Sequence, residues 1–298
     1  MLHLWQDRVL MYHGTPARYA GMLERQLRLV SLAFRVVPLE EIANGRKRTG
    51  GPRVALTFDD GLRSNVEIAY PILRKLGLTA TFFVCPELVD RGAWLWNQEA
   101  RERLKTLSQP ARGELATLVG GPPEVEAWVE WMKTLRLAAR QRVEEAIRAA
   151  TSAFKPSGEQ HAEFDLASWE ELERVDPRVV TVGSHTMTHP ILTSLNAEET
   201  ESETRESRMV LEKRLERPVT LFCYPNGDLN DTVLQCARRY YRSAVTVAPG
   251  IIDGNTDPHL LPRYAVRPQR TRRLVRHMVL GWPRKALAEF RNKSFTPA

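Results

Sequence analysis

The stretch RVALTFDDGLRS, residues 53–64, decides how the rest of the chain is read. An apolar, β-favouring run ends in two adjacent carboxylates, Asp59 and Asp60, each of which raises the cost of ionising the other. Asp60–Gly61 is a turn signal, but the next segment is not a second strand. NVEIAYPILRKLG, residues 65–77, has the apolar period of a helix with a stopping Gly77, and Ser64 and Glu67 are spaced as its capping box. A strand feeding directly into a helix is half of a βα unit.

The same rhythm recurs in both directions. RVLMYHG (8–14), FRVVPL (34–39), TATFFVC (79–85), RVVTVGSH (178–185), VTLFCYPNG (219–227) and RSAVTVAPG (242–250) are short apolar runs, and residues 196–216 form a polar-faced helix opening at Asn196. The alternation predicts an α/β fold built as an incomplete or distorted (β/α) barrel of about seven strands. An open nucleotide-binding sheet fits less well, since no Gly-rich phosphate loop follows any strand. Residues 87–165 interrupt the rhythm with helical sequence carrying Trp94, Trp96, Trp128 and Trp131. They read as an insertion whose tryptophans pack it onto the barrel, with a lid over a ligand as the alternative. The expected organisation is a barrel over 1–269, including the insertion, and a basic helical extension over 270–298.

Composition excludes more than it selects. Across 298 residues Lys and Arg outnumber Asp and Glu by 43 to 36, a surplus of seven that favours anionic surroundings, but no nucleic-acid motif accompanies it. Cys85, Cys223 and Cys236 are too widely spaced for a zinc knuckle or a redox pair, and their odd number rules out a closed disulfide set. The opening MLHLWQDRVLMYHG lacks a secretory pattern and no stretch has membrane-spanning length, so the expectation is a cytoplasmic chain. From Arg270 to Lys293 eight basic residues face the single Glu289. This reads as a closing helix packed on the barrel or, alternatively, as a peripheral contact with anionic lipid at the inner membrane face.

In a βα barrel the catalytic groups gather at the C-terminal strand ends, where an acidic pair needs a cation to hold both charges. VTVGSHTMTHPILTSL, residues 180–195, supplies the complement: His185 and His189, four apart after another strand, can converge with one carboxylate on a single ion. Two His and one carboxylate leave positions open for water and substrate, which is the layout of a catalytic metal. The same donors would suit a facial iron triad, though oxygen chemistry has no use for a second carboxylate beside the ligand.

TFDDG at 57–61 and SHTMTHP at 184–190 resemble, in this order, the first two motifs of the polysaccharide deacetylases of carbohydrate esterase family four, which share the NodB-homology domain. FDLASWEELERV at 164–175 resembles the helix before their second motif, and the likeness extends from about Val9 to Val266. It implies a metal-dependent N-deacetylase acting on N-acetylated sugars of a polysaccharide or lipid-linked glycan. Asp60, His185 and His189 would bind a divalent metal, zinc first, with Co2+, Ni2+, Mn2+ or Fe2+ as alternatives. Asp59 would be the general base, and the third-motif loop, here CYPNG at 223–227, would provide an oxyanion N–H and substrate contacts from Tyr224, Pro225, Asn226 and Gly227.

Two departures matter. Cys223 stands where the family's base-orienting Arg usually does, which makes Arg263 and Arg267 the candidates for that task. No terminal Leu-x-His supplies a general acid. Family members with permuted motif order are similar to this chain in opening on a Tyr-His pair, here Tyr12–His13, which assigns His13 as the acid and leaves His259 in reserve. The rival readings are hydrolysis of another C–N bond, as in a cyclic amide or ureide, and a catalytically degenerate glycan-binding protein.

Overall fold

The computed structural model describes residues 6–45, 51–272 and 274. Its strands are β1 (Arg8–Tyr12), β2 (Arg35–Val36), β3 (Arg53–Phe58), β4 (Ala80–Val84), β5 (Val180–Ser184), β6 (Leu221–Cys223), β7 (Ser243–Val245) and β8 (Tyr264–Ala265). They lie parallel in the order β7-β6-β5-β4-β3-β1-β8, with β2 paired to the beginning of β3. The strands β1, β3 and β4 are buried along their whole length, which is why they read as unbroken apolar runs.

The sheet curls until its edges are joined by one stretch of chain. Leu261 bridges Val245 at the end of β7, and three residues later Tyr264 and Ala265 pair with Leu10 and Met11 of β1. The ring is therefore a distorted barrel, closed by a strand that gives each edge only a couple of residues.

Helices cover the outside: α1 (Ala20–Ala33), α2 (Leu39–Ala43), α3 (Tyr70–Leu76), then α4 (Pro86–Arg91) through α9, α10 (Trp169–Glu173), α11 (Ala197–Leu215) and α12 (Asp231–Tyr240). The capping box expected at Ser64 and Glu67 does not form. The helix is entered through a π-helical turn, Asn65–Ala69, and the Ser64 hydroxyl instead accepts from the Thr15 N–H (3.1 Å), tying the loop after β1 to the loop after β3. The capping box at Asn196 and Glu199 is present.

The stretch expected as an insertion over 87–165 is helical: α4, α5 (Trp96–Lys105), α6 (Gln109–Val119), α7 (Val125–Lys133), α8 (Leu137–Ala150) and α9 (Gly158–Phe164). Its tryptophans divide their work. Trp96 and Trp128 lie in a hydrophobic cluster of the helices themselves, joined by Ile191 from the loop after β5. Trp94 packs edge-on against Phe154 and donates its indole N–H to Asp165 (2.7 Å). These rings are structural. Among the described residues no helix is long and apolar enough to cross a membrane, and most of the basic segment 270–293 lies outside them.

Gly183 shows how tight the barrel interior is. A Cβ there would stand 2.6 Å from the ring of fully buried Phe83 and 3.1 Å from the Leu221 carbonyl, so neither neighbour can yield freely. Gly183→Ala is expected to cost about 1–3 kcal/mol by overpacking, read as a lowered midpoint of thermal unfolding with the polar residues at the strand ends untouched.

Candidate active site

The site lies at the C-terminal ends of β3, β5 and β6, joined by a side chain from the closing segment. After Phe58 the Asp59 N–H donates to the Tyr12 carbonyl (2.9 Å), and the next two residues turn left-handed, Asp60 at φ 75° and Gly61 at φ 68°. Asp is among the few residues that tolerate this region. Gly61 is needed for a further reason: any Cβ would meet Val84 at 3.3 Å, and the turn must pass that close to send the two carboxylates in different directions.

At the end of β5 a second strained loop presents the histidines, with Thr186 at φ 68° and His189 at φ 56°. Three clamps hold it. The Thr186 hydroxyl accepts from the His189 N–H (3.0 Å). Glu203 of α11 accepts from the N–H groups of Met187 and Thr188 (2.8 and 3.0 Å) and from the Thr188 hydroxyl (2.6 Å). Trp96 of the insertion donates its indole N–H to the His189 carbonyl (3.0 Å). Glu203 and Trp96 belong to the functional architecture although no spacing in the sequence connects them to the histidines.

Nε2 of His185 and Nε2 of His189 each lie 3.6 Å from Asp60 Oδ1, and all three side chains are buried. That separation is too long for hydrogen bonds and suits three donors around one ion with bonds of about 2.0–2.2 Å. His185 Nδ1 is 2.8 Å from the Cys223 carbonyl, an arrangement that places a proton there and turns Nε2 toward Asp60. His189 Nδ1 is buried with no partner among the described residues.

Charge in this pocket is set by burial and neighbours. Burial pushes the Asp60 carboxyl up, but the facing imidazole of His185, with those of His13 and His189, outweighs it and holds the carboxyl well below its usual range. His189 is pushed down to about 3, first by burial and then by the charge of His185. Two imidazoles this close, with ring centroids 4.7 Å apart, cannot both carry a proton, whereas a divalent cation can serve both lone pairs. The residues present fit such a cation. Asp59, His185 and Cys223 also offer three donor atoms close together, but Asp59 is otherwise engaged.

Its partner is Arg263. The fully buried guanidinium meets Asp59 with two parallel hydrogen bonds (2.7 and 2.8 Å) and spends its remaining N–H groups on the Thr57 hydroxyl (3.0 Å), the Thr246 carbonyl (2.7 Å) and Cys223 Sγ (3.1 Å). Burial raises the Asp59 carboxyl, and the Arg263 charge more than offsets this, so Asp59 stays ionised. Burial likewise raises Cys223, which remains a thiol within reach of Asp59 (3.6 Å). Of the two arginine candidates, Arg263 therefore lies on Asp59, while Arg267 is exposed and lines a neighbouring cleft.

That cleft, about 400 Å³, is lined by His13, Leu62 and residues of α9 and of the segment after β8. His13 is exposed there, near enough for its charge to act on both Asp59 and Asp60. His259 is turned away, its Nε2 3.0 Å from the Tyr241 carbonyl. In the loop after β6, Tyr224 is buried with its hydroxyl donating to the His259 carbonyl (3.0 Å), and Pro225 and Gly227 are buried too. Asn226, at φ 57°, is the exposed member.

Comparison with known proteins agrees with this geometry. YxkH of Bacillus subtilis (strain 168), which its name assigns to the polysaccharide deacetylases, is 21% identical over 216 residues, covering 72% of this chain and 52% of its own. The chain thus spans about half the length of that curated relative. The deacetylase PplD of Streptococcus pyogenes, solved in complex with acetate, superposes with a TM-score of 0.62 at 20% identity, covering 92% of this chain and 98% of that one. IcaB of Ammonifex degensii gives a TM-score of 0.59 at 19% identity, over 90% and 95% of the two chains. At these identities the superpositions speak for the fold. Residues 46–245, the larger part of the chain, match the polysaccharide deacetylase family itself, and the chain belongs to that family.

Proposed function

We propose that the protein is a metal-dependent N-deacetylase that removes acetyl groups from N-acetylated sugars of a polysaccharide or lipid-linked glycan. One observation carries the reading: an ionised carboxylate fixed by a bidentate arginine stands next in sequence to the carboxylate of a two-histidine cation site, beside an open cleft. A divalent ion bound by Asp60, His185 and His189 would acidify a water and stabilise negative charge on a carbonyl oxygen. Zinc suits this nitrogen and oxygen donor set, as do other first-row ions.

The chain's own groups then have distinct tasks. Asp59, already ionised and unable to rotate away from Arg263, takes the proton of the attacking water. His13, in the cleft, gives a proton to the departing amine. In the loop after β6, Pro225 has no N–H, while those of Tyr224 and Gly227 go to the Val245 and Tyr224 carbonyls. This leaves Asn226 as the loop's donor to the developing oxyanion. A glycan-binding protein without catalysis would have no use for a buried, arginine-held base.

Acetate release from N-acetylglucosamine oligomers is expected to vanish on chelation and return with zinc, and to fall by at least about 10²-fold in His13→Ala, in keeping with loss of a general acid. Asp59→Asn is expected to abolish turnover; retained glycan affinity without any wild-type acetate release would instead indicate a binding protein. Because Asp59→Asn leaves the Arg263 charge buried and unpaired, it should also cost about 3–5 kcal/mol, read from denaturant unfolding. Glu203→Ala, which frees the histidine loop without touching a ligand, is expected to weaken zinc affinity about 10–100-fold in a competition titration.

A further inference from the structure

With Arg263 committed to Asp59, Arg267 has no role in holding the base. It follows β8 directly: the Val266 N–H donates to the Met11 carbonyl (2.9 Å), so Arg267 leaves the barrel beside Tyr12 and His13. Its backbone is anchored from below. The fully buried Gln26 amide donates to the carbonyls of Arg267 (2.9 Å) and Pro268 (2.8 Å). The side chain is exposed, lines the same cleft of about 400 Å³ as His13, and makes no ion pair among the described residues. The carboxylate that shares the cleft, Glu163, is already paired to Arg18 (2.6 Å). A second polar group there is also unspent: Gln98 Oε1, from the insertion, is buried without a hydrogen-bond partner among the described residues.

An unpaired guanidinium held on a fixed turn inside a substrate cleft is a receptor for a carboxylate or phosphate, which its fork meets with two hydrogen bonds. A buried amide oxygen left over beside it is an acceptor for a sugar hydroxyl or amide N–H. We propose that this cleft recognises an anionic group carried by the glycan near the acetamide that is cut, with Arg267 as the residue that binds it and Gln98 as a neighbouring contact to the sugar. The inference rests on the deacetylase reading for the position of the acetamide. Two sources share this chemistry: a uronate within the polymer and a phosphate at the reducing end of a lipid-linked chain.

The test uses the zinc-loaded protein and three tetrasaccharides: neutral tetra-N-acetylchitotetraose, its 1-phosphate, and one alternating N-acetylglucosamine with glucuronate. At least one anionic probe is expected to show a KM about tenfold below the neutral one, and which of them does so identifies the source. Arg267→Gln should remove that advantage while leaving kcat and the neutral KM within about twofold, and Arg267→Lys should keep part of it. Because Arg267 is exposed, the variants should melt with the wild type. Equal KM values for all three probes, or an advantage that survives Arg267→Gln, would overturn the proposal. Acetate from the neutral probe reports on the deacetylase reading alone. Should none of the three be turned over, that reading fails, and calorimetric titration of the same unreacting mixtures decides the anion site by the same comparison.

Discussion

The contact between Asp59 and Arg263 is the constraint on which the rest of the structure depends. Both groups are buried, and a charge removed from water is tolerable only when another charge and a full set of hydrogen bonds replace the solvent. Arg263 achieves this by spending every N–H on Asp59, Thr57, Thr246 and Cys223, groups that come from β3, from the end of β6 and from the stretch after β7. The segment that brings Arg263 is also the one that joins the two edges of the sheet. Closing the barrel and holding Asp59 are one event. The adjacency of two carboxylates is resolved in the same way: Asp59 answers to a guanidinium and Asp60 to two imidazoles, and the left-handed turn at Asp60 keeps the two sets of partners apart.

Strain is concentrated where the chemistry lies. Among the described residues five that are not glycine have positive φ: Asp60, Thr186 and His189 belong to the two ligand loops and Asn226 to the loop after β6, so only Glu216 lies elsewhere. Such residues cost on the order of 1–3 kcal/mol each and persist only where their surroundings over-determine them. Here the over-determination is visible as Glu203, Trp96 and Thr186 around the histidine loop and as the Val84 wall against Gly61. The insertion thereby helps to hold the histidine loop although none of its residues belongs to the Asp60–His185–His189 group.

Much of this was legible from residue order, because strand ends and ligand spacings are local properties. RVALTFDDGLRS and VTVGSHTMTHPILTSL each announce a buried strand and the groups at its tip, and a barrel brings such tips together. What could not be read depends on packing at a distance. Glu203 sits in a helix whose sequence looks like any solvated face, and Trp96 looks like a core residue, which it also is. Arg263 and Arg267 are four apart on one extended stretch, and only the direction in which each leaves it separates the base partner from the cleft residue. The capping box at Ser64 failed for a related reason: Thr15 competes for the same hydroxyl, and a π turn displaces Glu67 from the position where it could reciprocate. Tyr224 offered a candidate substrate contact by motif position, yet its hydroxyl is consumed inside the fold.

Separation along the chain gives the Asp59–Arg263 contact a kinetic meaning. The two residues lie 204 positions apart, and contacts that distant form late because loop-closure entropy must be met before they add stability. A chain growing from its N-terminus has made both ligand loops before Arg263 exists. Until then Asp59 stands at the end of a sheet whose edges are not yet joined, without the guanidinium that offsets its burial. The segment that carries Arg263 therefore does double duty: it joins the two edges of the sheet and gives the Asp59 carboxylate its buried counter-charge, so that the ring closes and the carboxylate is fixed in a single late step.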